Sequence, residues 1–479
     1  MSLRPREDSA ATGHRWTEER TDWLGVGFGL ALSCFVAFQQ FKLPPALPEL
    51  LQQFHYPRAL AASFMSVYAL IGLLGSVPLG RWLKRRGYRA GLPLGIASTA
   101  FGLILALVFA RFGAALLLAR ALEGLTYAIF AIAGPVIATA SARFRDLPLV
   151  TGLLAGWIPI GQIVAGLLAL AVPQAHAASQ ILGLADWGLA DWQVTWLVAL
   201  VLTLLLGLFC WRFSHHKDVS TVNSRAKARE TVTADTESAK TGPAAANVAA
   251  RAVSRPAPGP GADQPGAGQS GADRAGQRAE RWPDLLAAGT FLLWSAQYFA
   301  FMTWLTQYLI EQHHLQQQQA VLVYLLPVVV LLGFNLATGW ALGRGLALMP
   351  ALIASLVLQG LVWAATPFLG DVTGIIALLV YGICAGIIPT CLFHLPHHIV
   401  AHRHGRNNGD GSATRAAVKA GPEAFATLMT GRNIGVFFGP LLLPQLLGWL
   451  GQWNLAAQAI AVITWLGAAL TVILARHFR

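Results

Sequence analysis

Blocks of about twenty apolar residues recur along the whole 479-residue chain, and each is long enough to cross a hydrocarbon core about 30 Å thick as a helix. They read as spans 23–41, 59–80, 91–110, 113–140, 149–172 and 192–213, then 285–309, 319–342, 346–368, 373–398, 422–448 and 455–475. Trp23–Phe41 and Asn454–Leu474 are the cleanest. A soluble protein built from buried helices does not account for them. Such a chain carries about 25% charged residues, whereas this one has 12%, with 55% hydrophobic residues and a mean hydropathy of +0.54. The pattern predicts an all-α membrane protein of twelve transmembrane helices.

A net charge of +12 and a pI near 10.0 raise the question of nucleic acid, but the placement of the cations answers it. Arg81, Lys84, Arg85, Arg86 and Arg89 follow the second span, Arg143 and Arg145 the fourth, Arg344 the eighth, and Arg403, Arg406, Arg415 and Lys419 the tenth. The intervening loops 173–191 and 311–319 contain no Lys or Arg. Cations confined to alternate loops set orientation, so both termini are expected in the cytoplasm and no nucleic-acid partner is expected. The first residues, 1–22, form a polar tail without the apolar core of a signal peptide. Between six-span units at 23–213 and 283–479 lies 214–282, rich in Ala, Gly, Pro, Ser, Thr and Arg. It cannot bury enough apolar surface to offset its ordering entropy and reads as a disordered cytoplasmic linker. Cys34, Cys210, Cys384 and Cys391 sit inside apolar stretches without zinc-ligand spacing, so neither a disulfide framework nor a metal site is expected.

The two units echo each other. Gly80-Arg-Trp-Leu-Lys-Arg85 after the second span parallels Gly339-Trp-Ala-Leu-Gly-Arg344 after the eighth, and Gly124 and Gly382 hold nearly the same offset in the fourth and tenth. Two pseudo-symmetric six-helix bundles rocking about a shared midplane site describe a secondary transporter.

The loop Gly80-Arg-Trp-Leu-Lys84-Arg85-Arg86-Gly87-Tyr88-Arg89 resembles the first signature of the major facilitator superfamily, Gly-x-x-x-Asp-Arg-x-Gly-Arg-Lys/Arg. Gly80, Arg85, Gly87 and Arg89 match, while Lys84 stands in place of the usual aspartate. The segment Arg120-Ala-Leu-Glu-Gly124-Leu-Thr-Tyr-Ala128 is similar to a second signature, Arg-x-x-x-Gly-x-x-x-Ala. The resemblance covers the chain outside the tail and linker. It implies an inner-membrane carrier without cofactor or enzymatic activity, expected as a monomer, and a cytoplasmic gate formed by the first signature and its counterpart Gly339 and Arg344. The charge reversal at Lys84 puts that latch in question; a purely orienting basic turn is the alternative. Patches such as Ser295-Ala-Gln-Tyr298 and Gly382-Ile-Cys-Ala-Gly386 also resemble the cyanate permease-like branch, whose name carries no substrate assignment here.

Ionisable groups inside lipid need a reason. Arg120 lies about 12 Å along the fourth span, with Glu123 one turn on, and Arg432 about 15 Å along the eleventh beside Asn433. A structural ion pair explains Arg120 and Glu123 as readily as a cavity role does. Arg432 has no acid within a turn, and a planar guanidinium suits an oxyanion. Two deep arginines against one carboxylate predict a small anionic substrate, with Glu123 as the proton-coupling group if protons drive transport. Gln39, Gln40, Gln162, Gln297 and Tyr298 are further lining candidates, alongside Trp157, Trp304 and Asn335; each alone is more often a helix–helix contact or a lipid-interface residue. The run His394, His397, His398, His402 and His404 lacks a carboxylate or cysteine partner and reads as a polar helix end. No phosphate-cradling loop or nucleophile–base arrangement occurs. Two alternatives stay open: efflux of amphipathic toxic compounds, which calls for a large aromatic cavity, and a sensor or scaffold that has kept the fold without transport.

Overall fold

The computed structural model describes residues 21–143, 146–181, 188–216, 271–368, 370–407 and 413–478. Those residues are helical almost throughout and contain no strand. The elements are α1 (Trp23–Phe41), α2 (Leu43–Phe54), α3 (Arg58–Arg86), α4 (Tyr88–Phe109), α5 (Gly113–Ser141), α6 (Leu147–Ala155), α7 (Trp157–Ile181) and α8 (Asp191–His216) in the first half. The second half holds α9 (Gly271–His313), α10 (Gln317–Gly343), α11 (Leu348–Ala365), α12 (Asp371–Asn407), α13 (Ala413–Leu450) and α14 (Trp453–His477). Twelve spans among them are long and apolar enough to cross a membrane. Large apolar side chains such as Leu24, Phe101, Leu208, Leu322, Leu361 and Val462 face outward, an arrangement that lipid tolerates and water does not. Of the tail and the linker, 1–20 and 217–270 lie outside the described residues; α9 begins at Gly271.

Two elements depart from the simple span pattern. The stretch after the first span, which reads as a loop, is the helix α2. Pro44 and Pro45 fall in its first turn, where a missing N–H costs nothing, and Leu43, Leu47 and Leu50 bury one face. From it Glu49 reaches the N-terminus of α8 and accepts the amides of Asp191 and Trp192 at 3.0 Å each, capping that helix with a carboxylate. The fifth span breaks at Gly156 into α6 and α7. Pro159 cannot donate to the carbonyl of Ala155, so the α-ladder stops and restarts with the proline in a first turn.

Equivalent helices pack alike in the two halves: α3 on α5 and α1 on α7 in the first, α10 on α12 and α9 on α13 in the second. Glycines permit the closest approaches. A Cβ on Gly124 would stand 2.6 Å from the carbonyl oxygen of Tyr68, and one on Gly382 the same 2.6 Å from that of Pro327. Tyr68 is ten residues into α3 and Pro327 ten into α10, so the duplication is kept in backbone contacts as well as in sequence.

Candidate functional site

Arg120 and Glu123 meet inside the first bundle rather than between the bundles. Both are buried, at 0% and 1% exposure, and form an ion pair within one turn of α5. The rest of the Arg120 guanidinium is spent on main chain: Nε donates to the carbonyl of Phe64 at 3.2 Å, and the terminal nitrogens to those of Gln39 at 2.9 Å and Gln40 at 3.3 Å. The Tyr68 ring covers it at 4.7 Å. The second oxygen of Glu123 is taken by Lys42, whose Nζ lies 3.0 Å away and is itself fully buried. Lys42 also donates to Gln39 Oε1 and sits 4.8 Å over the Trp196 ring, while Gln39 Nε2 reaches Thr203 at 3.3 Å. Two cations and one carboxylate are thus locked between α1, α3, α5 and α8.

Lys42 is absent from the sequence-derived candidates because it ends the first apolar block and so reads as a membrane-surface residue. Helix α2 continues the path and draws it inward.

The second bundle holds an uncharged counterpart. Gln297 of α9 accepts from Trp363 Nε1 at 2.8 Å and from Tyr381 Oη at 3.1 Å, and donates to Gln359 Oε1 at 3.1 Å. Every polar atom of its amide oxygen side is turned into its own bundle.

The next residue of α9, Tyr298, faces the other half. Its hydroxyl donates to Gln162 Oε1 of α7 at 2.9 Å, a buried bond between the bundles at mid-depth, and Tyr324 of α10 lies beside the same glutamine. Arg432 of α13 stands near Tyr298 and is 6% exposed. Its hydrogen bond is to Asn433 Oδ1 at 3.1 Å, and among the described residues no carboxylate pairs with it. Gln162 Nε2, Trp294 Nε1 and Ser295 Oγ are buried nearby on the same helices without a hydrogen-bond partner. The region is rich in donors and poor in acceptors.

The halves are sealed at one end. Arg58 makes two 2.9 Å bonds to the carboxylate of Glu311, Gln317 reaches the carbonyl of Pro45 at 3.4 Å, and Ser66 that of Phe437 at 2.7 Å. Phe41 packs on Phe299 with centroids 5.7 Å apart, and Leu325 lies over Gly166. All of these lie between mid-depth and the end away from the chain termini. Toward the termini, a Cβ on Gly156 would stand 3.1 Å from Leu332 Cδ1 of the other half. There Gly87, at φ 81, closes α3 by donating to the carbonyl of Leu83 at 2.8 Å; Arg85 is exposed, and a Cβ on Gly80 would meet only Ile132 of its own bundle. The side chain of Arg89 lies outside the described set. Gly339 borders open space and Arg344 stacks on Trp340 at 3.6 Å. Of the histidines, His394 Nδ1 lies 2.8 Å from the carbonyl of Thr390 and His398 packs on Phe478.

Two equivalent helical bundles, closed against each other at one end around buried polar groups, form a membrane transporter of the alternating-access kind. Residues 29–418 match the family model of the Major Facilitator Superfamily, and the chain belongs to that family. Among solved structures it is similar to a bacterial homolog to human lysosomal transporter Spinster, in inward-facing and occupied conformation. The TM-score is 0.62 at 12% identity, over 96% of this chain and 97% of that one, so the likeness is one of fold. No curated protein matches the sequence.

Proposed function

We propose that the chain carries a small organic or inorganic anion across the cytoplasmic membrane, coupled to protons, with Arg432 as the principal substrate group. The supporting observation is the buried guanidinium of Arg432 with no carboxylate partner among the described residues. A cation left so at mid-depth is costly unless an anion visits it. Asn433, Tyr298 and Gln162 supply hydrogen bonds around it. The positive-inside pattern puts the sealed end away from the cytoplasm. Gln297 and Gln39 support their bundles from behind the substrate region. The knot of Arg120, Glu123 and Lys42 is the proton-linked element, since a proton on Glu123 would release both cations at once.

Thermal stability of the purified protein against monocarboxylates, dicarboxylates, sulfate and phosphate tests the reading, because a ligand that favours the native state raises it. One anion class is expected to stabilise the protein, and Arg432→Gln to weaken that response about tenfold or more, the loss of one charge-assisted contact. An Arg432→Gln variant that responds and transports normally would end the anion assignment.

A further inference from the structure

The second bundle contains a cavity of about 210 Å³ that the central site does not use. It is walled by Phe301, Trp304, Tyr308, Trp363, Tyr381 and Trp453, and it opens between the α9–α10 and α11–α12 connections at the sealed end of the molecule. The way its aromatic residues are tied down decides what it can hold. Trp363 and Tyr381 direct their polar atoms to Gln297, Trp304 donates to the carbonyl of Pro440 at 3.0 Å, and Trp453 donates to Glu311 at 2.9 Å. Their N–H and O–H groups are used up in the wall, so ring carbons face the interior. Such a chamber offers a solute little to hydrogen-bond with beyond the Tyr308 hydroxyl, and suits an alkyl or aryl body.

The mouth is different. Asp371 stands there 96% exposed, with His313 3.7 Å away, and among the described residues no Lys or Arg lines the cavity. The other acid at this end, Glu311, is already held by Arg58. The Tyr308 ring lies just inside, packed on His313 and Trp453. A cationic head therefore finds an available carboxylate and an aromatic face at the rim. From Asp371 to Tyr381 the cavity wall follows α12 for about 15 Å, the depth of a medium-length alkyl chain.

We infer that this chamber is a binding site for a single-tailed cationic amphiphile, tail among the aromatic rings and head at Asp371. The site is separate from Arg432, and its test does not depend on the anion reading.

The probe is decyltrimethylammonium below its micellar concentration, added to the full-length protein in lipid nanodiscs, with decyl sulfate and decyl maltoside as controls sharing the tail. The cation is expected to raise thermal stability at concentrations about tenfold lower than either control. Ala377→Phe and Gly374→Phe both add a ring at the chamber wall from α12, and a Cβ on Gly374 meets nothing within 4 Å; the unfolding transition of each variant without ligand checks that it is folded. Both are expected to abolish the response, and Asp371→Asn to weaken it about two- to fivefold, the scale of one exposed charge contact. Arg432→Gln is expected to leave it unchanged. Equal responses to the three head groups would remove the assigned ligand class. A full response in Gly374→Phe, or its loss in Arg432→Gln, would place the ligand elsewhere and overturn the site.

Discussion

The two bundles place their central polar groups at equivalent positions and fill them with opposite chemistry. Glu123 and Tyr381 each lie ten residues into their helices, one before the paired glycines Gly124 and Gly382. Each points to a first helix carrying a glutamine about fifteen residues along its span, Gln39 in α1 and Gln297 in α9. In the first bundle the connection is ionic, through Lys42 and Arg120; in the second it is a neutral amide held by Tyr381, Trp363 and Gln359. The backbone geometry is shared, as the matching 2.6 Å approaches at Gly124 and Gly382 show, so the difference is one of side chains on a common frame. A buried neutral network has one protonation state. An ionic knot has several, and its stability depends on which is occupied. The knot of the first bundle carries charges that the amide network of the second lacks.

The largest effect expected from this contrast is at Glu123. Glu123→Gln leaves two fully buried cations without a carboxylate, a loss of about 3–5 kcal/mol. Lys42→Met should cost less, because Arg120 and Glu123 then balance one to one. Thermal unfolding of the purified variants measures both. If Glu123→Gln proves the milder change, the carboxylate is already protonated in the native knot and the ionic description fails.

The shared frame predicts the next effect. A valine at Gly124 or at Gly382 must push aside a backbone carbonyl, and overpacking of this sort costs about 1–3 kcal/mol. The two variants should lose similar stability by the same assay. A difference beyond about 2 kcal/mol, most of the range for such substitutions, would break the equivalence of the halves.

How much of this could be read from sequence follows from the same residues. The span count, the duplication and the family were visible because lipid imposes a length and an apolarity on every crossing, and because Gly124 and Gly382 sit in register. Arg120, Glu123 and Arg432 stood out because charge in an apolar run is rare. Their surroundings were not legible. Helical phase alone does not tell which face of α5 looks into its bundle, and three of the groups that hold Arg120 are backbone carbonyls, which leave no mark on a sequence. Lys42 and Arg58 look like ordinary boundary cations, and their partners are 81 and 253 residues away. The aromatic chamber was invisible for a further reason: tryptophans and tyrosines tied by their polar atoms look in sequence like any membrane-helix aromatics.

The neutral network should respond more gently than the ionic one. Tyr381→Phe removes one donor from Gln297 Oε1 and leaves Trp363 in place, so a loss of about 0.5–1.5 kcal/mol is expected. A loss as large as that of Glu123→Gln would show that the second bundle depends on its knot as strongly as the first, and the contrast would disappear.

The smallest effect on stability is expected where charge joins the halves at the surface. Arg58 is 48% and Glu311 25% exposed, and exposed pairs contribute about 0.2–1 kcal/mol, so Arg58→Gln should barely move the unfolding temperature. Its consequence lies in which state is occupied. The pair belongs to the sealed end and must part when that end opens, so removing it raises the fraction open there, and even a fraction of a kcal/mol shifts a balanced equilibrium severalfold. A cysteine introduced at Ser66, beneath the pair, should then react faster with a water-soluble maleimide in Arg58→Gln than in its absence. Glu311→Gln should act in the same direction, because it removes the other member of the pair that joins the halves. Labelling unchanged in both variants would mean that the apolar contacts of Phe41 with Phe299 and of Leu325 over Gly166 hold the end closed by themselves. Charge would then matter inside the first bundle and not at the seam.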